Sequence, residues 1–278
     1  MTTARIRATG GILAIGLLTL TACSSSDEEL VLEDTAPEVI YQRAEAELAQ
    51  GDAEDAARLF SEVERLYPYS EWARRGLIMQ AFAYHEDRDY ENARASAQRF
   101  IDFYPADEDA AYAQYLLALS YYDQIDQVGR DQGLTFQALQ ALRAVIEEYP
   151  DSEYARSAML KFDLAFDHLA AKEMEIGRYY LKRGHYPAAI NRFRAVVEEF
   201  QTTTQTPEAL MRLVEAYLAL GLTDEAQTAG AILGYNFQSS PFYDDAYRQL
   251  TGRGLAPEAR GSGWLRSVYD RTIRGRWL

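Results

Sequence analysis

The sequence predicts an all-α protein built as a superhelix of about five stacked helix pairs. Three observations predict it. First, a small residue followed four positions later by a second core residue recurs in the helix that would close each pair: Ala56 with Phe60, Ala93 with Ala97, Ala138 with Leu142, Ala189 with Phe193, and Ala226 with Gly230. Second, an aromatic residue ends that helix as Tyr67-Pro68, Tyr104-Pro105 and Tyr149-Pro150, with Phe200-Gln201 in the fourth unit. Third, apolar residues recur at three- and four-residue spacing from Pro37 onward, and no run reads as a strand.

The front of the chain has a different character. Arg5 and Arg7 precede an apolar stretch from Ile12 to Leu20, and no acidic residue appears before Asp27. A basic start, a short apolar middle and small residues read as a cleaved secretory signal over residues 1–22. The stretch is too short for a permanent membrane span. Leu20-Thr21-Ala22-Cys23 resembles a bacterial lipoprotein box, and Cys23 is the only cysteine of the 278 residues. That resemblance makes Cys23 the lipid attachment point; an ordinary secretory signal with an incidental cysteine is the alternative. Two or more acyl chains anchor a soluble body stably where one does not. With Ser24 rather than Asp after the cysteine, the resemblance favours the outer membrane. Residues 23–36, polar and acidic, form the expected tether.

Within the repeats, small Ala56, Ala93, Ala138, Ala189 and Ala226 let paired helices approach closely, and large Phe60 and Phe193 fill the gap to the next unit. Proline disfavours helix at the residue before it, so each Tyr-Pro stops a helix. Gly51, Gly184 and Gly221 stand where the turn within a pair calls for a positive φ. Thr206-Pro207 suggests a cap followed by proline at the first helical position. First helices carry Tyr84, Tyr121, Tyr180 and Tyr217 at one position, and Glu47 departs from it. The whole resembles the tetratricopeptide pattern, in which stacked hairpins bury what no unit buries alone.

Irregular spacing locates two further features. The steps Ala56–Ala93 and Ala189–Ala226 are both 37 residues, but Ala93–Ala138 is 45 and Ala138–Ala189 is 51. The first excess falls in an insertion at Gln124–Gly133. The second marks Glu153–Lys182 as one long or lightly broken helix, with a soft boundary that divides amino-terminal repeats (37–160) from carboxy-terminal repeats (161–250). Beyond Leu250 lies a basic, aromatic tail, 251–278, with six arginines against Glu258 and Asp270 and a short amphipathic helix at Trp264–Ile273. Anionic head groups, an acidic partner or simple solubilisation would each suit it.

Net charge is −15, and loss of the two basic residues of the signal leaves −17, which argues against nucleic acid as a partner. Hydrophobic content of 48% allows a sizeable core. His85, His168 and His185 lack metal-ligand spacing, and no phosphate loop or nucleophile elbow is present. Glu147-Glu148 and Glu198-Glu199 point to different sides of a helix. Neither an enzyme nor a cofactor is expected. Since first helices line the inner face of a tetratricopeptide array, Tyr41, Phe82, His85, Tyr112, Tyr115 and Tyr122 would lie on or near a peptide groove, unless they only pack between units.

Three segments carry a more specific likeness: Arg65-Leu66-Tyr67-Pro68-Tyr69-Ser70, the insertion with Arg130-Asp131-Gln132, and Tyr179-Tyr180-Leu181-Lys182-Arg183-Gly184 continuing to Asn191-Arg192. With the lipoprotein box and the repeats, they resemble the BamD family of the β-barrel assembly complex of the outer membrane, over Leu20 to about Leu250. The resemblance implies a non-catalytic lipoprotein scaffold on the periplasmic face. Its carboxy-terminal repeats would grip the barrel-forming subunit through Arg183 and Arg192, and its amino-terminal repeats would engage unfolded outer-membrane proteins. Other subunits of the complex are further implied partners. A different envelope lipoprotein, one that assists a pilus secretin or organises cell-wall enzymes, is the main alternative, and a solenoid cell-wall lyase is a second.

Overall fold

A computed structural model describes residues 32–277, so Cys23 and the signal lie outside the described residues. A short 3-10 turn at Leu32–Asp34 precedes the body, which runs from Ala36. Twelve α-helices and no strand follow among the described residues. They are α1 (Pro37–Gln50), α2 (Ala53–Leu66), α3 (Glu71–Glu86), α4 (Tyr90–Phe103), α5 (Ala110–Tyr122), α6 (Gly133–Glu148), α7 (Glu153–Lys182), α8 (Tyr186–Glu199), α9 (Thr206–Ala219), α10 (Thr223–Asn236), α11 (Pro241–Thr251) and α12 (Trp264–Ile273). Each of α1 to α10 packs on the next, and α1, α3, α5 and α7 also pack on one another in succession. Five antiparallel pairs therefore stack as a solenoid, as the repeat spacing predicts.

The alanines explain the closeness of the pairs. Ala56, Ala93, Ala138, Ala189 and Ala226 are all 0% exposed, as are Phe60 and Phe193. Gly177 on α7 extends the rule: a Cβ there would stand 2.4 Å from the Phe193 ring. Only a bare backbone lets α7 and α8 close over that ring.

Four of the five turns within pairs share one hydrogen-bonded shape. Gly51, Arg88, Gly184 and Gly221 take φ of +94°, +64°, +75° and +74°. The next residue's N–H reaches back to the carbonyl five positions earlier: Asp52 to Glu47, Asp89 to Tyr84, His185 to Tyr180 and Leu222 to Tyr217, at 2.9–3.0 Å. These are left-handed helix endings that satisfy the last open carbonyls. The repeat tyrosines thus supply three of the four accepting carbonyls, and Glu47 supplies the other. Arg88 stands alone among the described residues as a non-glycine with positive φ.

Aromatic residues end every second helix. Tyr67, Tyr104, Tyr149, Phe200 and Phe237 are the C-caps of α2, α4, α6, α8 and α10, with φ between −123° and −134°. Phe200 and Phe237 do so without a following proline, so the aromatic ring rather than the proline is the constant part. One local expectation is corrected. Thr206 does not cap α9; it is the first helical residue, and its hydroxyl donates to the Phe200 carbonyl at 3.0 Å. The open end of α8 claims the hydroxyl that a cap would need.

The 51-residue step is an unbroken helix. At 1.5 Å per residue, the 30 residues of α7 extend about 45 Å. Its front third packs Ala158 into an amino-terminal core with Leu77, Phe100, Leu116 and Leu142. Its middle joins Ala165 and Leu169 to Leu139, and its rear adds Ala170, Met174 and Leu181 to the carboxy-terminal core. The insertion lies against this helix: the Lys172 ammonium donates to the Gly129 carbonyl at 2.7 Å, and His168 Nδ1 meets Gln132 Oε1 at 3.0 Å.

The tail is packed rather than loose. Residues beyond α11 run along α10, where Gln227 donates to the Ala256 carbonyl and Thr228 to that of Arg260, both at 2.8 Å. Helix α12 occupies the span its pattern predicts. Leu265, Val268 and Trp277 are buried in the carboxy-terminal core, and Trp264 Nε1 donates to the Tyr217 hydroxyl at 3.0 Å.

Arg88 gives the turn shape a direct test. A side chain in the left-handed region costs about 1–2 kcal/mol, part of which returns as greater freedom of glycine in the unfolded chain. Arg88→Gly is expected to raise the thermal midpoint by ~2 °C, and Gly184→Ala to lower it by at least as much. Calorimetry of both variants checks this; a lower midpoint for Arg88→Gly contradicts it.

Candidate functional site

Two surfaces gather the residues singled out in the sequence. The first is aromatic and lies where α5 meets α7. Tyr112 and Tyr115, one turn apart on α5, both contact Tyr154 at the start of α7, with ring centroids 5.2 and 5.4 Å apart. The Tyr115–Tyr154 pair is stacked. Burial of the Tyr112 hydroxyl, reinforced by Tyr154, Glu86 and Asp109, pushes its pKa up to about 12. Burial likewise raises Tyr115 and Tyr122.

The neighbouring end of α5 adds a polar edge. His85 Nε2 lies 3.1 Å from Asp123 Oδ2, and the His85 ring meets Tyr90 edge-on at 5.5 Å. The Lys161 ammonium sits 4.9 Å over the Tyr122 ring. Tyr122, Ile125, Asp126, Leu164, Ala165 and His168 then surround a cleft of about 220 Å³ between α5, the insertion and α7. Phe82 is half-buried against the amino-terminal core. Tyr41 stands apart from this group: it is buried between Phe60 and Trp72, at centroid distances of 5.2 and 5.0 Å.

The sequence reading missed three members of this surface. Tyr154 completes the tyrosine cluster, and Leu160 and Leu164 on α7 are 61% and 63% exposed. A signal for the leucines was present. Ala155, Ala158, Ala165 and Leu169 trace the buried stripe of α7, and Leu160 and Leu164, one turn apart, fall off it.

The second surface holds the two arginines. Arg192 on α8 pairs with Glu173 on α7 at 3.1 Å. It lines a cleft of about 520 Å³ with Phe136, Tyr180, Asn191, Glu199 and Phe200. Arg183, the exposed C-cap of α7, lays its guanidinium 4.4 Å over the Tyr179 ring. Tyr179 in turn meets Tyr180 edge-on at 5.6 Å. Ring contacts thus run from Arg183 through Tyr179 to Tyr180, which lines the cleft of Arg192. Phe136, exposed at its rim, was not foreseen.

A third region, also unforeseen, is charged. Arg178 bonds Glu208 at 3.0 Å, and Arg212 bridges Glu208 and Glu215 at 3.2 and 3.0 Å. Arg212 and Glu215 border a cleft of about 500 Å³ with Met211, Phe242, Asp245, Arg248 and Gln249. Among the described residues no three His, Cys, Asp or Glu side chains are grouped to hold a metal ion, and no helix is long and apolar enough to cross a membrane.

The Tyr112 shift gives a pH prediction. Its folded pKa of about 12 exceeds the ordinary 10.0, so the folded chain holds this proton more tightly than the unfolded chain. The resulting stabilisation is complete below about pH 10 and is lost as pH rises through about 12. The thermal midpoint is expected to fall less steeply above pH 10 in Tyr112→Phe than in the unmodified protein. Equal slopes contradict the burial of this hydroxyl.

Comparison with known proteins places the chain. A family model described as an outer membrane lipoprotein, YfiO, matches residues 33–232, which span α1 to most of α10 and stop short of α11, α12 and the tail. A Caulobacter vibrioides protein named outer membrane protein assembly factor BamD is 49% identical over 246 residues, covering 88% of this chain and 81% of that protein. Proteins of the same name from Rickettsia prowazekii and from a serogroup A Neisseria meningitidis are 40% and 30% identical, each over 85% of this chain and 94% of its own length. With the helical repeat and the residues above in place, the chain belongs to the YfiO family of outer-membrane lipoproteins, the family of the BamD assembly factors.

Proposed function

We propose that this protein is a non-catalytic outer-membrane protein assembly factor. It acts as a scaffold that is acylated at Cys23 and held at the periplasmic face of the outer membrane. The observation that carries this is the 49% identity to an assembly factor over 88% of the chain. The signal occupies residues 1–22, the tether 23–36, and the two repeat groups 37–160 and 161–250 divide the work.

The rear group docks the barrel-forming subunit through Arg183 and Arg192. The geometry supports this reading. Arg192 is half-exposed and held by a single carboxylate, Glu173. Ion pairs of that exposure are worth at most about 1 kcal/mol, so a partner carboxylate can take over the guanidinium at little cost. Arg183 rests on Tyr179 with its edge free for a bidentate acceptor. The exposed Phe136 beside Arg192 offers apolar area to the same partner.

The front group engages unfolded outer-membrane proteins. Tyr112, Tyr115, Tyr122 and Tyr154 with Leu160 and Leu164 form an aromatic and aliphatic surface suited to an extended peptide with aromatic side chains. Phe82 and His85 support it as packing and polar edge, while Tyr41, enclosed by Phe60 and Trp72, lies apart from it.

Two measurements test these assignments. Arg192→Glu sets two carboxylates face to face in place of the ion pair. It is expected to abolish co-purification with the barrel subunit while leaving helicity unchanged; undiminished recovery of the partner removes the assignment. Leu160→Ser with Leu164→Ser removes apolar surface from exposed positions, so stability should stay within about 1 kcal/mol. Each leucine fully covered by a ligand is worth about 1.5–3 kcal/mol, so affinity for a fluorescent peptide ending in an aromatic residue should fall at least ~10-fold. Unchanged affinity moves the substrate site elsewhere.

A further inference from the structure

The tail is an unusual piece of an acidic chain. Residues 252–278 carry six arginines against Glu258 and Asp270, while the chain as a whole has net charge −15. Both carboxylates are already engaged, Glu258 with Arg260 at 2.9 Å and Asp270 with Arg266 at 3.2 Å. Among the described residues, no carboxylate lies within ion-pairing distance of Arg271, Arg274 or Arg276.

The fold fixes where these three point. On α12, Leu265, Val268 and Thr272 recur at spacings of three and four and are buried. Ser267, Arg271 and Arg274 recur at spacings of four and three on the opposite stripe and are exposed. After Arg274 the chain turns at Gly275, φ +63°. The Gly275 and Arg276 N–H groups return to the Thr272 and Arg271 carbonyls at 3.0 and 2.9 Å. This left-handed ending carries Trp277 back into the core, where it is 4% exposed and meets Phe237 edge-on at 6.4 Å. Arg276 is exposed between two anchored points. Ile273, 49% exposed, adds an apolar side chain to the same end. The arginines are therefore held outward by a packed helix rather than strung along a loose terminus.

We propose that this arginine face of α12 docks the rear end of the solenoid onto an anionic lipid bilayer. Charge complementarity selects the occupant. Arginine forks fit phosphate oxygens bidentately, and laterally mobile head groups can gather under charges spread along a helix. The inference goes beyond the assembly role and does not rest on acylation of Cys23.

The mature chain, residues 23–278 with Cys23→Ser so that neither signal nor acyl chain contributes, is compared with and without Arg271→Glu, Arg274→Glu and Arg276→Glu. Co-sedimentation is measured on vesicles of phosphatidylcholine alone and of phosphatidylcholine mixed with phosphatidylglycerol. At about 1 kcal/mol per basic residue near an anionic surface, the parent chain should bind the mixed vesicles at least ~10-fold more tightly than the variant. The advantage should shrink as salt rises and vanish on neutral vesicles. Far-UV circular dichroism checks that the variant folds; should it not, Arg271→Gln with Arg274→Gln replaces it with the same expected direction. Equal binding of parent and variant, or equal binding to both vesicle types, overturns the proposal. So does preference of the parent for soluble polyglutamate over the anionic vesicles.

Discussion

Helix α7 ties the front and rear repeats into one packed array. It contributes buried side chains to three separate cores: Ala158 to the first, Ala165 and Leu169 to the second, Ala170, Met174 and Leu181 to the third. No helix pair in such an array buries its apolar face alone. An unbroken α7 therefore couples the front and rear groups mechanically as well as in packing. It also touches both candidate surfaces, through Tyr154, Leu160 and Leu164 at the front and Glu173, Tyr179 and Arg183 at the rear. The insertion, pinned by Lys172 and His168, braces the middle of this helix, where the repeat spacing is interrupted.

Around that beam, the same few devices recur because the same geometry must be met five times. A small residue sets the distance between paired helices, a left-handed ending turns the chain, and an aromatic cap closes the second helix. Where a device is missing, something local replaces it. Arg88 takes the glycine position with a positive φ, and Phe237 ends α10 with no proline behind it. The third pair has no tight turn, and its insertion is held by side chains of α7 instead. The tail follows the same logic at the end of the array. It covers α10, whose apolar side has no further pair to meet, with Leu265, Val268 and Trp277.

Much of the architecture was legible in the sequence, for a physical reason. Burial at 0% exposure permits little variation in size, so the alanine column from Ala56 to Ala226 stood out, as did the span of α7 and of α12. Docking surfaces are harder to read, because an exposed leucine and a loosely packed one look alike in one sequence. Leu160, Leu164 and Phe136 were missed on that account. Tyr41 illustrates the converse. Its aromatic ring suits a ligand, but its neighbours Phe60 and Trp72 enclose it, and only three-dimensional contact tells the two apart. Tyr112, Tyr115 and Tyr122 did fall on one first helix, α5, yet Tyr154, which ties two of them together, belongs to the following pair. The charged network of Arg178, Glu208 and Arg212 joins α7 to α9 and carried no pattern along the chain.

In this account the protein performs no bond-breaking chemistry and works by holding other proteins at fixed positions on a stiff helical frame. The most direct test is the identity of what it holds. Tagged protein purified from detergent-solubilised envelopes should bring down, in stoichiometric amount, a membrane β-barrel as its largest companion. Recovery of a secretin or a cell-wall enzyme in that place, with no barrel, contradicts the account.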